Sequence, residues 1–244
     1  MILDDQFQNT PDDTLIVFSS KNDGTVLDRA VGLHDPSIVT NRTKFTESVG
    51  VSYGDTVFQR IIYADTARYD LIADVDERSM TKYTSEVVAD ALFTRQSGVA
   101  MLLPVADCVV SVVYDPKNRY IAQAHLGRHS TFADLMQKLL NKFVSEGSTI
   151  SDLRVWMEPS AQRSSYKLEY FDLAGDPRWE GLYDKKSDGY YIDMQGYNKQ
   201  ACLSAGVLEQ NITMSPIDTC TNDDYFSHSR GDTAGRFAGL AMMR

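Results

Sequence analysis

Residues 108–125 read CVVSVVYDPKNRYIAQAH: an apolar run, the turn-forming group Asp115-Pro116-Lys117-Asn118, and a second apolar run that ends in histidine. Asp, Pro and Asn are residues that a type I turn selects, so the stretch predicts an antiparallel hairpin. A turn centred on Pro116 and Lys117 places Cys108 directly opposite His125. Opposed residues in such a ladder have Cβ atoms about 4.5–5.5 Å apart on one face. That spacing suits a thiol and an imidazole acting as nucleophile and base, or as two ligands of one zinc. Cys108 follows Pro104-Val105-Ala106-Asp107 at the beginning of its strand and His125 ends its own, so both belong to the sheet's rim.

The neighbouring segments extend the same pattern. Ala91–Thr94, Val99–Leu103, Cys108–Tyr114 and Tyr120–His125 are apolar runs without the alternation of a half-exposed strand, and they predict strands covered on both faces. Further strands are expected at Leu15–Ser19, Val57–Tyr63, Asp70–Ala73 and Leu153–Met157. A helix is expected from Ser130 or Thr131 through Val144, carrying Phe132, Leu135, Leu139 and Phe143 on one stripe, with Gly147 past its end. Asp35-Pro36 reads as another helix start, ahead of Asn41 and Arg42, and Met194–Ser204 as a last helix. No Pro/Gly/Ser linker divides the chain, so one domain over residues 1–244 is expected.

The 244 residues include 24 Lys+Arg against 34 Asp+Glu, a net charge of −10, and 43% are hydrophobic. This composition excludes a disordered chain and disfavours a nucleic-acid partner. No apolar run reaches the roughly 18–20 residues of a membrane helix, and the N-terminus is acidic where a secretory signal would be basic. No membrane partner and a cytoplasmic location are therefore expected. Three cysteines at irregular spacing, Cys108, Cys202 and Cys220, predict free thiols in place of a disulfide framework.

Gly127-Arg128-His129-Ser130 turns directly from the hairpin into a helix start, where free backbone N–H groups favour an anion. Gly127 and Arg128 are thus candidate phosphate contacts beside Cys108 and His125. Of the other histidines, His34 stands in Gly32-Leu33-His34-Asp35 and His228 in Ser227-His228-Ser229-Arg230. Arg230 and Arg236, in the same glycine-rich tail, read equally as a phosphate clamp or as a solvated edge.

A set of these segments resembles a known family. Ala89-Asp90-Ala91-Leu92-Phe93-Thr94, Gly98-Val99-Ala100, Ala106-Asp107-Cys108 and His125-Leu126-Gly127 are similar to the central motifs of the multicopper polyphenol oxidase, or laccase-domain, family, also called peptidoglycan editing factor. Gly32-Leu33-His34 with Asn41-Arg42, Glu158-Pro159-Ser160 with Tyr166, Ile192-Asp193-Met194, Asp218-Thr219-Cys220-Thr221, Phe226-Ser227 and Gly235-Arg236 resemble its outer motifs in the right order. The resemblance implies an α+β fold, mixed and antiparallel sheets packed with flanking helices in a CNF-like laccase-domain sandwich. It also implies zinc bound by one Cys and two His, with phosphorolysis of adenosine, inosine or methylthioadenosine and, in some members, adenosine deamination.

Carried over by position, Cys108 and His125 are two of the metal ligands, while the third falls on Ile61 of Gln59-Arg60-Ile61-Ile62, which cannot bind metal. His34, Asn41, Arg42, Gly127, Arg128 and Arg230 are the expected substrate and phosphate contacts, with a purine nucleoside and phosphate as small-molecule partners. His34 and His129 are the candidates to replace the missing ligand. The family's His-Ala-Gly-Trp-Arg-Gly becomes His125-Leu126-Gly127-Arg128-His129-Ser130, so its Trp is lost, and its Gly ahead of the Pro becomes Glu158, whose bulk is expected to reach the pocket. Copper oxidation of phenols is disfavoured, since four histidines in all cannot build a multicopper cluster. A metal-free Cys108/His125 hydrolase or amidase and a non-catalytic binding protein remain alternatives.

Overall fold

The apolar runs form two six-stranded sheets that pack face to face, with helices on both outer faces, in a computed structural model that describes residues 1–64 and 67–244. In the first sheet the order is Thr14–Phe18, Gly235–Met243, Ala100–Val105, Thr56–Arg60 and Val87–Val88, with Leu27–Asp28 pairing the start of Gly235–Met243. The second runs Ile212–Met214, Arg154–Met157, Val109–Asp115, Tyr120–Leu126, Ala91–Thr94 and Ile72–Asp74. Both sheets mix parallel and antiparallel pairs. A three-stranded sheet, Lys167–Leu168, Gly189–Ile192 and Tyr183–Lys186, packs its apolar side chains against the same core. The fold is mixed α+β, as the sequence resemblance implied.

The layers explain why the central strands are apolar throughout. Val112, Tyr114 and Trp156 of the second sheet meet Ile16, Val57, Met101 and Ala241 of the first. On the outer side of the second sheet, Val109, Val113, Ala122 and Ala124 lie under helices α3 (Leu135–Ser145) and α4 (Met194–Ala205). Helix α1 (Pro36–Ser48) covers the other sheet through Phe45, which packs with Phe58, Leu102 and Leu240. Burying each such large apolar side chain contributes about 1.5–3 kcal/mol before chain entropy is set against it. Among the described residues no helix is long and apolar enough to cross a membrane.

One expectation changes, and two segments for which the sequence offered no element prove ordered. The helix foreseen from Ser130 or Thr131 to Val144 is two, α2 (Arg128–Phe132) and α3, because Asp134 adopts a left-handed backbone (φ 56°). Its carboxylate accepts from the Tyr197 hydroxyl and Arg178, both at 2.6–2.7 Å, which holds the break. Gly235–Met243 is a strand bonded on both sides, although Ala, Leu and Met favour helix locally; tertiary pairing overrides that propensity. The segment 183–192 is a hairpin turning at Ser187-Asp188, with Lys186 paired to Gly189.

Candidate functional site

The Val109–Asp115 and Tyr120–Leu126 strands pair with Val110 opposite His125 and Asp115 opposite Tyr120. The register thus differs by one step on each strand from the expected one, and Cys108 is not opposite His125. The turn causes this: Asp115 Oδ1 accepts from the N–H groups of Lys117 and Asn118 at 2.8 and 3.1 Å, and Arg119 takes a left-handed backbone (φ 57°). The turn is therefore centred one residue later than Pro116 and Lys117.

Continuing the ladder one step beyond Val109 and Leu126 sets Cys108 against Gly127. His125 is then the diagonal neighbour of Cys108 on the same face. Gly127 makes the pair possible, since a Cβ there would stand 3.0 Å from Cys108 Sγ and 2.7 Å from His125 Cε1. Thiol and imidazole converge over a missing side chain. Both line a cavity of about 850 Å³, together with Gly127, Arg128, His129 and His228.

Burial dominates the electrostatics of the pair. His125 is only 4% exposed, and desolvation, with the charges of Arg236 and Arg29, lowers its pKa to about 4. Burial, reinforced by Asp107, pushes the Cys108 thiol up to about 12, against the opposing pull of Arg236, Arg29 and Arg128. At neutral pH the two are a neutral imidazole and a protonated thiol, unlike the ion pair of an activated cysteine nucleophile. His125 Nε2 lies 3.4 Å from the Tyr63 hydroxyl, while Nδ1 is buried and has no partner among the described residues.

The cavity wall is held by Asp107. Its backbone is left-handed (φ 69°), and its carboxylate accepts from Thr219 Oγ1 at 2.8 Å and from the Ser229 N–H at 2.7 Å. Those bonds bring the tail loop, with His228, against the hairpin. Four arginines line the cavity: Arg60 is paired with Glu86 at 2.6 Å, and the other three are Arg29, Arg128 and Arg236. Among the described residues none of the three has a carboxylate within ion-pair distance. Arg29 lies over the Tyr63 ring at 5.3 Å. Arg236 is nearly buried and donates to backbone carbonyls, Gly235 O at 2.6 Å among them.

Four expected substrate contacts stand elsewhere. Arg42 is 1% exposed; it donates to Val26 O at 2.6 Å and lies over Phe58 at 4.1 Å, tying α1 to the first sheet. Asn41 donates to Thr25 O at 3.0 Å beside Gly24. Arg230 bonds Asn222 O, Tyr225 O and Asp223. The loop of His34 reaches the cavity through Gly32 and Leu33, not through the imidazole. Glu158, expected to intrude on the pocket, lies between the sheets against Gly239, where a Cβ would overlap its carboxylate. The sequence reading overlooked Arg29 and Tyr63; the only local hint is that Arg29 precedes the Gly32 turn.

A zinc site does not fit this donor set. Cys108 and His125 are two donors, and among the described residues no group of three or more His, Cys, Asp or Glu could hold a metal ion. Ile61 presents an apolar side chain to the cluster that includes Cys108. His129, a candidate replacement, is stacked on Tyr69 with centroids 4.5 Å apart. Zinc sites ordinarily have three or four protein ligands.

The two-sheet sandwich with a Cys/His pair over a glycine defines a class of protein, and comparison with known families agrees. Residues 19–244 match the family described as multi-copper polyphenol oxidoreductase laccase, and the chain belongs to it. It is 27% identical over 215 residues to a purine nucleoside phosphorylase of Corynebacterium glutamicum, covering 87% of this chain and 84% of that one. A prokaryotic protein named adenosine deaminase RL5 is 25% identical over 217 residues, with 83% and 81% of the two chains covered. The crystal structure of the Bacillus licheniformis hypothetical protein YfiH superposes with a TM-score of 0.80 at 24% identity over 95% of this chain and 93% of that one.

Proposed function

We propose that the protein cleaves purine nucleosides with phosphate, and that Arg29 and Arg236 hold the phosphate. The observation that carries this reading is the pair of cavity-facing guanidiniums beside Cys108 and His125 without a carboxylate partner. Burial and the neighbouring Arg29 charge lower the Arg236 pKa, so an anion bound between them relieves both penalties. The names of the relatives support the substrate class.

In the reaction a phosphate oxygen bonds to the anomeric carbon of the ribose. The glycosidic bond breaks, its electron pair goes to the purine, and the purine takes up a proton from solvent. The transition state resembles an oxocarbenium ion, so placing the phosphate dianion against it is the main requirement. Arg29 and Arg236 serve that placement, and Tyr63 and Tyr69 line the same cavity. Deamination, which the family resemblance routes through a metal-activated water, gains no support from a two-donor site. The thiol-hydrolase alternative is weakened by the raised Cys108 pKa.

The test incubates purified protein with inosine, adenosine and methylthioadenosine, with and without phosphate, and follows free base by chromatography. Phosphate-dependent release that is lost in Cys108→Ala supports the reading. Release independent of phosphate would replace it with hydrolysis.

A further inference from the structure

The position that carries a third metal ligand in the family resemblance is Ile61, and two residues further along a different polar group reaches the site. Tyr63 places its hydroxyl 3.4 Å from His125 Nε2, its ring edge-on to the imidazole with centroids 6.3 Å apart. The ring is held on two sides, by Tyr69 at 6.4 Å and by the Arg29 guanidinium at 5.3 Å. A metal would need the Nε2 lone pair that the phenol engages. A ligating histidine normally donates its other N–H to a carboxylate or carbonyl, which fixes the ring; here Nδ1 has no such partner among the described residues.

We propose that Cys108, His125 and Tyr63 form a metal-independent site, in which the Tyr63 hydroxyl holds the imidazole nitrogen that a metal would otherwise take. Tyr63 is a positioning residue: it acts through His125, fixing which ring nitrogen carries the proton toward the cavity. The assignment stands apart from the proposed phosphorolysis. Absence of base release would overturn that reaction and leave this one decided by the measurements below.

Wild type, Tyr63→Phe and Ile61→His are produced in zinc-supplemented medium, zinc per chain is measured by mass spectrometry, and zinc affinity by competition with a fluorescent chelator. Wild type is expected without stoichiometric zinc, and Ile61→His, which restores a third donor, to bind zinc on the order of 100-fold more tightly or better. Stoichiometric zinc in the wild type overturns the proposal, whether Tyr63→Phe loses it or keeps it. Equal affinities of wild type and Ile61→His overturn it too, because donor number would then not be what keeps the metal out. Nitrogen-15 NMR of the His125 ring reads the positioning role: the tautomer balance is expected to shift in Tyr63→Phe. An unchanged ring spectrum overturns the role given to the phenol. This arm and the wild-type zinc content decide the matter even if Ile61→His fails to fold.

Discussion

Gly127 decides whether the thiol and imidazole meet. Gly127→Ala would put a methyl group 2.7 Å from His125 Cε1 and 3.0 Å from Cys108 Sγ, and rigidly packed neighbours give way only at a cost. The expected outcome is a loss of about 100-fold or more in kcat/KM, since misplacement by an ångström can cost that much, accompanied by a lowered melting temperature from the overpacking. Glu158 offers a second test at this scale. Its carboxyl is fully buried, neither oxygen has a partner, and burial raises its pKa well above the ordinary 4.5. Because the folded state keeps the proton that the unfolded chain releases, stability falls as pH rises from about 4.5 toward the raised value. Glu158→Gln is expected to flatten that slope and to gain about 1–3 kcal/mol at neutral pH; chemical denaturation at several pH values measures it, and an unaltered slope would contradict the assignment. Cys108, His125, Gly127 and Arg128 were legible in the sequence because turn chemistry places them locally. Arg29, Arg236 and Tyr63 act across the fold. Arg236 stands out in its glycine-rich tail as one arm of a phosphate clamp, but nothing near Arg29 or Tyr63 in sequence says that they converge on it; Arg42, expected as a contact through the family resemblance, is instead held by Val26 O and Phe58.

At the scale of elements, periodicity found most of the central strands and three of the four helical positions, because apolar pattern and burial coincide there. It failed at Asp134, where a left-handed residue held by Tyr197 and Arg178 splits one apolar stripe into two helices. It gave no reading of Gly235–Met243, whose helix-favouring residues are committed to a sheet by two partner strands. The stripe of α3 is nonetheless the lid of the second sheet: Leu139 is fully buried with Leu135, Leu140 and Phe143. Leu139→Ala is expected to destabilise the fold by about 2–5 kcal/mol, read as a lower denaturant midpoint at unchanged slope. A changed slope would mean that α3 detaches by itself.

The molecule as a whole carries a net charge of −10, yet the cavity around Cys108 and His125 is lined by Arg29, Arg60, Arg128 and Arg236. Anionic surface and cationic cavity together draw an anion to one place, and salt screens that attraction with a Debye length of about 10 Å at 0.1 M. The sandwich supplies the rest: two sheets bury the hairpin, and the buried hairpin end keeps thiol and imidazole neutral. Arg29 is the residue through which to test this account, since it lines the cavity and its contact there among the described residues is the Tyr63 ring. Base release from inosine is measured as a function of phosphate concentration for wild type and Arg29→Ala. Saturable, phosphate-dependent release, with the phosphate KM raised about 10-fold or more in Arg29→Ala, is the predicted result. No phosphate-dependent release by the wild type, or the same phosphate KM in both proteins, would contradict it.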